Sequence, residues 1–200
     1  MYAMFSTFMA ESGRIREMER EANQREAELL RRLPGYQGRM LLLDPHSGKV
    51  VSVVFVETEQ AARATQRHPE YNSVRLSSLY AAGDVEEAVF EATYRTEGAD
   101  WASGRWARMT SYHVQPGLLE ERIRHSLEVM EAPARALADR VGGCVLIDRA
   151  AHLSTSISVW KSERAMQRSE EQVSFASARS HRRYAVGEVQ QDDFQLAAAE

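Results

Sequence analysis

Apolar residues in the second half of the chain follow two different periods. Arg108–Gln115 (RMTSYHVQ) is β-branched and aromatic with no breaker, which predicts a strand. After the Pro116-Gly117 turn, Leu119, Ile123, Ser126, Met130, Ala134 and Leu137 recur at helical spacing and predict a long helix. Gly142-Gly143 reads as the end of that helix, where positive φ is needed. Cys144–Asp148 (CVLID) and Leu153–Trp160 (LSTSISVW) then read as two strands joined around Arg149–His152 (RAAH). A second helix starts at Ser162 as N-cap, with Glu163 placed to favour the helix dipole. A further turn restarts at Ser169, with Gln172 completing a capping box.

The first half carries the same pattern. Ile15, Met18, Ala22, Leu29 and Leu33 mark one face of a helix, and Glu21–Arg25 and Glu28–Arg32 lie four apart on its solvated side. Pro45–Gly48 (PHSG) is the hairpin turn, Thr58 with Glu59 starts the second helix, and Pro69 marks its break. Displacing the chain against itself by 104 positions aligns the halves without a gap: Gly13 meets Gly117, Glu17 Glu121, Gly38 Gly142, Asp44 Asp148, Glu59 Glu163, Arg75 Arg179, Tyr80 Tyr184 and Phe90 Phe194. One shared offset for so many identities indicates two copies of one unit, about 1–95 and 105–200, joined by the polar, Gly-bearing Thr96–Gly104. Each copy reads β-α-β-β-α-β, the ferredoxin-like order. Such a unit has helices on one face of its sheet, so two copies in tandem are expected to place their open faces together.

Period-two reading splits the third strand into two rows. Thr155, Ile157 and Val159, matched by Val51, Val53 and Phe55, are apolar in both copies and are expected against the helices. The other row is Ser154, Ser156, Ser158 and Trp160, matched by Val50, Ser52, Val54 and Val56, and is expected to face the opposite sheet. Its change from valine to serine points to a polar-walled cavity in the second half, with the first half filled.

Composition narrows the classes. A net charge of −4 with no dense basic stripe argues against nucleic-acid binding. Lys49 and Lys161 are the only lysines among 25 basic residues, a bias expected of a GC-rich bacterial genome. A single cysteine, Cys144, excludes an internal disulfide and fits a reducing cytoplasm. No apolar run approaches the ~20 residues of a membrane span, and the apolar Met1–Ala10 lacks the basic flank of a signal peptide.

The third strand ends VWKS and is followed by Glu163 and the Ala-bearing helix start at Ala165. With the β-α-β-β-α-β order, this resembles the antibiotic biosynthesis monooxygenase family of the dimeric α+β barrel superfamily, over nearly all of both halves and best in 105–185. Members commonly pair two single-unit chains so that two four-stranded sheets close a barrel. The resemblance therefore implies an α+β chain of two tandem ferredoxin-like units forming that barrel by itself, as a monomeric pseudo-dimer or a homodimer. The superfamily includes oxygenases, haem-binding enzymes and isomerases. Its quinone-forming oxygenases use no metal or flavin and bind a phenol between sheet and helices, beside an Asn, a Trp and a Tyr. Trp160 and Tyr112 can stand for two of these, and no Asn lies on a pocket strand. The haem-degrading branch needs an Asn on the first strand and a Trp and a His on the second helix. The first two are missing, His181 falls about two residues late, and Arg179 fits the spacing better.

Arg108, Tyr112, Ser154, Ser156, Ser158, Trp160, Arg179 and Tyr184 are thus the pocket candidates, for a small-molecule ligand and no cofactor. Three readings stand: a cofactor-independent monooxygenase-like enzyme for a small aromatic or polyketide-like molecule, a non-catalytic binder or degenerate family member, and a haem-binding protein. His46 and His152 read as solvated hairpin residues, His113 as packed under the helix, and Cys144 as a small core residue. The recurring Tyr80/Tyr184 and Arg75/Arg179 pairs read as structural corners.

Overall fold

The computed structural model describes residues 1–11, 13–126, 139–169 and 182–200. Its strands are β1 (Tyr2–Ala10), β2 (Tyr36–Leu43), β3 (Lys49–Val56), β4 (Ala81–Arg95), β5 (Trp106–Val114), β6 (Arg140–Asp148), β7 (Leu153–Trp160) and β8 (Ala185–Ala199). Their hydrogen-bonded order is β1-β3-β2-β8-β5-β7-β6-β4, closing as a barrel. Internal contacts divide the chain into unit 1, Met1–Glu91 with Gln195–Glu200, and unit 2, Ala92–Phe194. The fold is α+β, with the ferredoxin-like order of elements in each unit.

In unit 1, α1 (Ile15–Glu21) and α2 (Ala27–Arg32) flank a π-helical turn over Ala22–Glu26. The expected Glu21–Arg25 pair forms on the exposed side, at 3.3 Å. Asp44 ties the β2–β3 hairpin by accepting from the His46 amide and the Ser47 hydroxyl. Thr58 caps α3 (Glu59–Gln66) by accepting from the Ala61 amide, and Pro69 opens α4 (Pro69–Val74), as the pattern predicts. A short α5 (Leu76–Tyr80) leads into β4.

The two rows of the third strand lie opposite to the expectation. Val50 packs with Met18, Ala22 and Leu76, and Val54 and Val56 pack with Leu29, Leu30, Ala62 and Tyr71, so this row faces the helices. In unit 2, Trp160 packs with Ala165 and Met166 of the helical segment 163–169. Ser154, Ser156 and Ser158 share its side of β7, so they too face the helices and not an opposite sheet. Both rows are buried and largely apolar in unit 1, so alternation could not tell one buried face from the other.

Two more expectations change in unit 2. Gly142 and Gly143 lie inside β6, and the backbone takes positive φ earlier, at Asp139 (66°). Gly142 serves close approach: a Cβ there would stand 2.9 Å from Cη2 of Trp101. The expected joint 96–104 is part of unit 2. Trp101 is buried, and Thr96 exchanges backbone and hydroxyl hydrogen bonds with Gly143. The proposed capping box cannot be read, because Gln172 lies outside the described residues. Ser169 itself is helical and donates to the Met166 carbonyl at 2.6 Å.

Pattern reading also missed a buried ion pair in unit 1. Nη1 of Arg39 lies 3.2 Å from Oε2 of Glu26, with both side chains almost fully buried. Asn23 accepts from Nη2 of the same guanidinium, and Glu26 also accepts from the Leu76 amide. Burial pushes the Glu26 carboxyl up to about 7, more than the adjacent Arg39 charge pulls it down.

Candidate functional site

The helix-facing side of the unit 2 sheet gathers most of the candidate residues. Antiparallel β5–β7 register puts Tyr112 opposite Ser154, Thr110 opposite Ser156, Arg108 opposite Ser158 and Trp106 opposite Trp160. Directly opposed residues share a face, so these eight side chains form two adjoining rows. β6 adds Ile147, Val145 and Gly143 opposite Ser154, Ser156 and Ser158. Helical backbone over 119–126 supplies Leu119 and Ile123, which pack with Tyr112, Val145 and Ile147.

Each side chain has defined partners. Nε of Arg122 donates to the Tyr112 hydroxyl at 2.5 Å, and the guanidinium stands over the tyrosine ring, 5.7 Å from its centroid. Ser156 donates to the Thr110 carbonyl at 3.5 Å, and Nε1 of Trp160 donates to the Ser158 hydroxyl at 3.0 Å. Arg108 makes a two-pronged pair with Asp193, at 2.7 and 2.8 Å. The Ser154 hydroxyl is fully buried, and among the described residues nothing hydrogen-bonds to it.

Several of these positions are apolar in unit 1, although Ser6 and Ser52 stand where unit 2 has Thr110 and Ser156. With the offset of 104, Met4, Phe8, Met18, Ala22, Val50, Val54 and Val56 stand where unit 2 has Arg108, Tyr112, Arg122, Ser126, Ser154, Ser158 and Trp160. The unit 1 residues are all buried, whereas Arg108 and Ser158 are only half-buried. At these seven positions the helix–sheet interface is apolar in unit 1 and mostly polar in unit 2, while unit 1 carries its own buried polar group elsewhere on that face, Arg39 opposite Val54 with Glu26. Sequence reading found the serine row and put Ser126 on the core-facing row of the helix, but read neither Ser126 nor Arg122 as a site residue. Their signal was present as the polar members of the aligned pairs Met18/Arg122 and Ala22/Ser126.

The other candidates fall elsewhere. Tyr184 donates to Glu121 at 3.0 Å, and Tyr80 donates to Glu17 at 3.2 Å, the same contact in each copy, so this pair is a structural corner. Desolvation and then the bond to Glu121 hold the Tyr184 hydroxyl above the usual tyrosine range. Arg179 and His181 lie outside the described residues. His113 is exposed and meets the Ala151 carbonyl at 3.1 Å; with Tyr112 under the helix, alternation puts it on the other face of β5, near the end of the strand, contrary to expectation. Cys144 is buried and its thiol is pushed up to about 12 by desolvation, which suits a core residue and not a nucleophile. Among the described residues, no three His, Cys, Asp or Glu side chains gather as a metal site, and no helix is long and apolar enough to cross a membrane.

This architecture is the antibiotic-biosynthesis-monooxygenase-like dimeric α+β barrel fold. No protein-family model and no curated protein matches the sequence. Among solved structures, a candidate monooxygenase of Fusobacterium nucleatum subsp. nucleatum superposes with a TM-score of 0.74 at 13% identity, covering 100% of this chain and 93% of that one. An anthrone oxidase-like protein gives 0.70 at 11% identity, covering 100% and 92%. The haem-degrading enzyme of Listeria monocytogenes gives 0.58 at 10% identity, covering 98% and 99%. At these identities the likeness is one of fold.

Proposed function

We propose that the chain is a cofactor-independent, monooxygenase-like enzyme that binds a small aromatic or polyketide-like phenol on the helix-facing rows of unit 2. The observation that carries this reading is the exchange of Phe8, Val50 and Val54 for Tyr112, Ser154 and Ser158 at matching positions of two copies of one fold. A core that only had to be filled would not need hydroxyls at these three positions, because unit 1 carries apolar side chains at each. The rows offer hydroxyls to a ligand's oxygens, the half-buried Trp106 offers a flat apolar wall, and Ser156 and Ser158 are the half-buried members of the serine row. An anthrone, through its phenolic enol form, can be oxidised by O2 directly, one oxygen atom entering the quinone and the other leaving as water. The fold shared with an anthrone oxidase-like protein supports that class of substrate.

An oxygen electrode tests the reading. With dithranol as substrate and EDTA present, the chain is expected to consume O2 in step with quinone absorbance. The variant Tyr112→Phe/Ser154→Val/Ser158→Val, which restores the first-copy pattern, is expected to lose at least about tenfold of that rate. Uptake no faster than the uncatalysed oxidation contradicts the enzyme reading. The rows carry no carboxylate or imidazole to accept a proton, which favours non-catalytic binding as the second reading. Dithranol bound without O2 uptake is its signature.

A further inference from the structure

We infer that the ligand of this face is an aromatic carboxylate, and that Arg122 with Ser154 forms its anion seat; this rests on the binding role proposed for unit 2. Arg122 is 7% exposed and Ser154 is 0% exposed. Among the described residues the guanidinium donates to the Tyr112 hydroxyl through Nε, and no carboxylate pairs with it. Glu121, its neighbour in the chain, is engaged by Tyr184 and Arg183 instead. A largely buried guanidinium with no carboxylate beside it among the described residues invites an anion, and unit 1 has Met18 at the matching position, its own buried Arg39 being paired with Glu26.

The geometry of what remains selects the anion. With Nε committed to Tyr112, the two terminal nitrogens of Arg122 form a flat fork that matches the two oxygens of a carboxylate. Tyr112 links the pair, because its hydroxyl takes the Arg122 bond and its strand position faces Ser154. The Ser154 hydroxyl, fully buried and without a partner among the described residues, is a further donor on the same face. A bound carboxylate would satisfy both the charge and the orphan hydroxyl, while the aromatic body lay along the rows toward Ser156 and Ser158. Unit 1 holds Met18 and Val50 at these positions and has no such seat.

Calorimetric titration of the full chain with 2-naphthoate and with the neutral, similarly shaped 2-naphthalenemethanol tests this. The naphthoate is expected to bind at least about tenfold more tightly. Arg122→Met should remove the difference while leaving affinity for the alcohol in place, and Arg122→Lys should keep part of it. Ser154→Val, measured alongside in case Arg122→Met does not fold, should weaken naphthoate several-fold and the alcohol little. Equal affinities in the unsubstituted chain, or equal losses for both probes in Ser154→Val, overturn the anion seat but leave the binding face standing. Binding of neither probe overturns both.

Discussion

At the scale of single residues, Trp160 shows how one side chain serves packing. Its ring lies against Ala165, Met166 and Trp106, and its indole N–H is satisfied by Ser158. Trp160→Phe keeps an aromatic ring but removes that bond and some volume. The expected cost is about 1–2 kcal/mol, read from urea unfolding, with the Kd of an aromatic ligand held near the interior of the rows unchanged. A large loss of affinity at unchanged stability would make Trp160 a ligand wall instead. The tryptophan was legible in the sequence as the end of the serine row, but its neighbours Ala165 and Met166 were not. Alternation says that residues share a side, and only packing says which side that is.

At the scale of elements, the first helical segment of unit 1 holds the least legible feature. Helical spacing of apolar residues was visible, but the π-turn over Ala22–Glu26 and the burial of Glu26 against Arg39 were not. Nothing local distinguishes a buried charged pair thirteen positions apart from two solvated residues. The pair makes stability depend on pH. The Glu26 carboxyl sits at about 7 in the fold against an ordinary 4.5, so between those values the folded chain holds a proton that the unfolded chain releases. The contribution of protonated Glu26 is complete below about 4.5 and is lost as pH rises through 7. Thermal unfolding of the unsubstituted chain and Glu26→Gln from pH 4.5 to 8 is therefore expected to show the unsubstituted chain losing Tm relative to the variant as pH rises. Parallel curves would mean that Arg39 keeps the carboxylate ionised throughout. The hairpins and helix caps, by contrast, were legible because Thr58, Pro69 and the Asp44 turn act on their immediate neighbours.

At the scale of the whole molecule, the repeat explains both what could be read and what could not. Periodicity and one offset between the halves revealed two ferredoxin-like units. The same offset, applied to structure, reveals where the copies differ. Unit 1 keeps Met4, Phe8, Met18, Val50 and Val54 under its helices, while unit 2 sets Arg108, Tyr112, Arg122, Ser154 and Ser158 in their places. Arg122 was overlooked because a lone arginine on a helix reads as solvated until the fold buries it.

The central claim is that ligand binds to the polar copy and not to its apolar counterpart. Amide chemical shifts of the isotopically labelled chain, recorded anaerobically while dithranol or 2-naphthoate is added, test it most directly. The account predicts shifts concentrated at 106–112, 119–126 and 154–160, with 2–8, 15–22 and 50–56 unmoved. Equal movement at both sets of positions, or movement confined to the first, would contradict it.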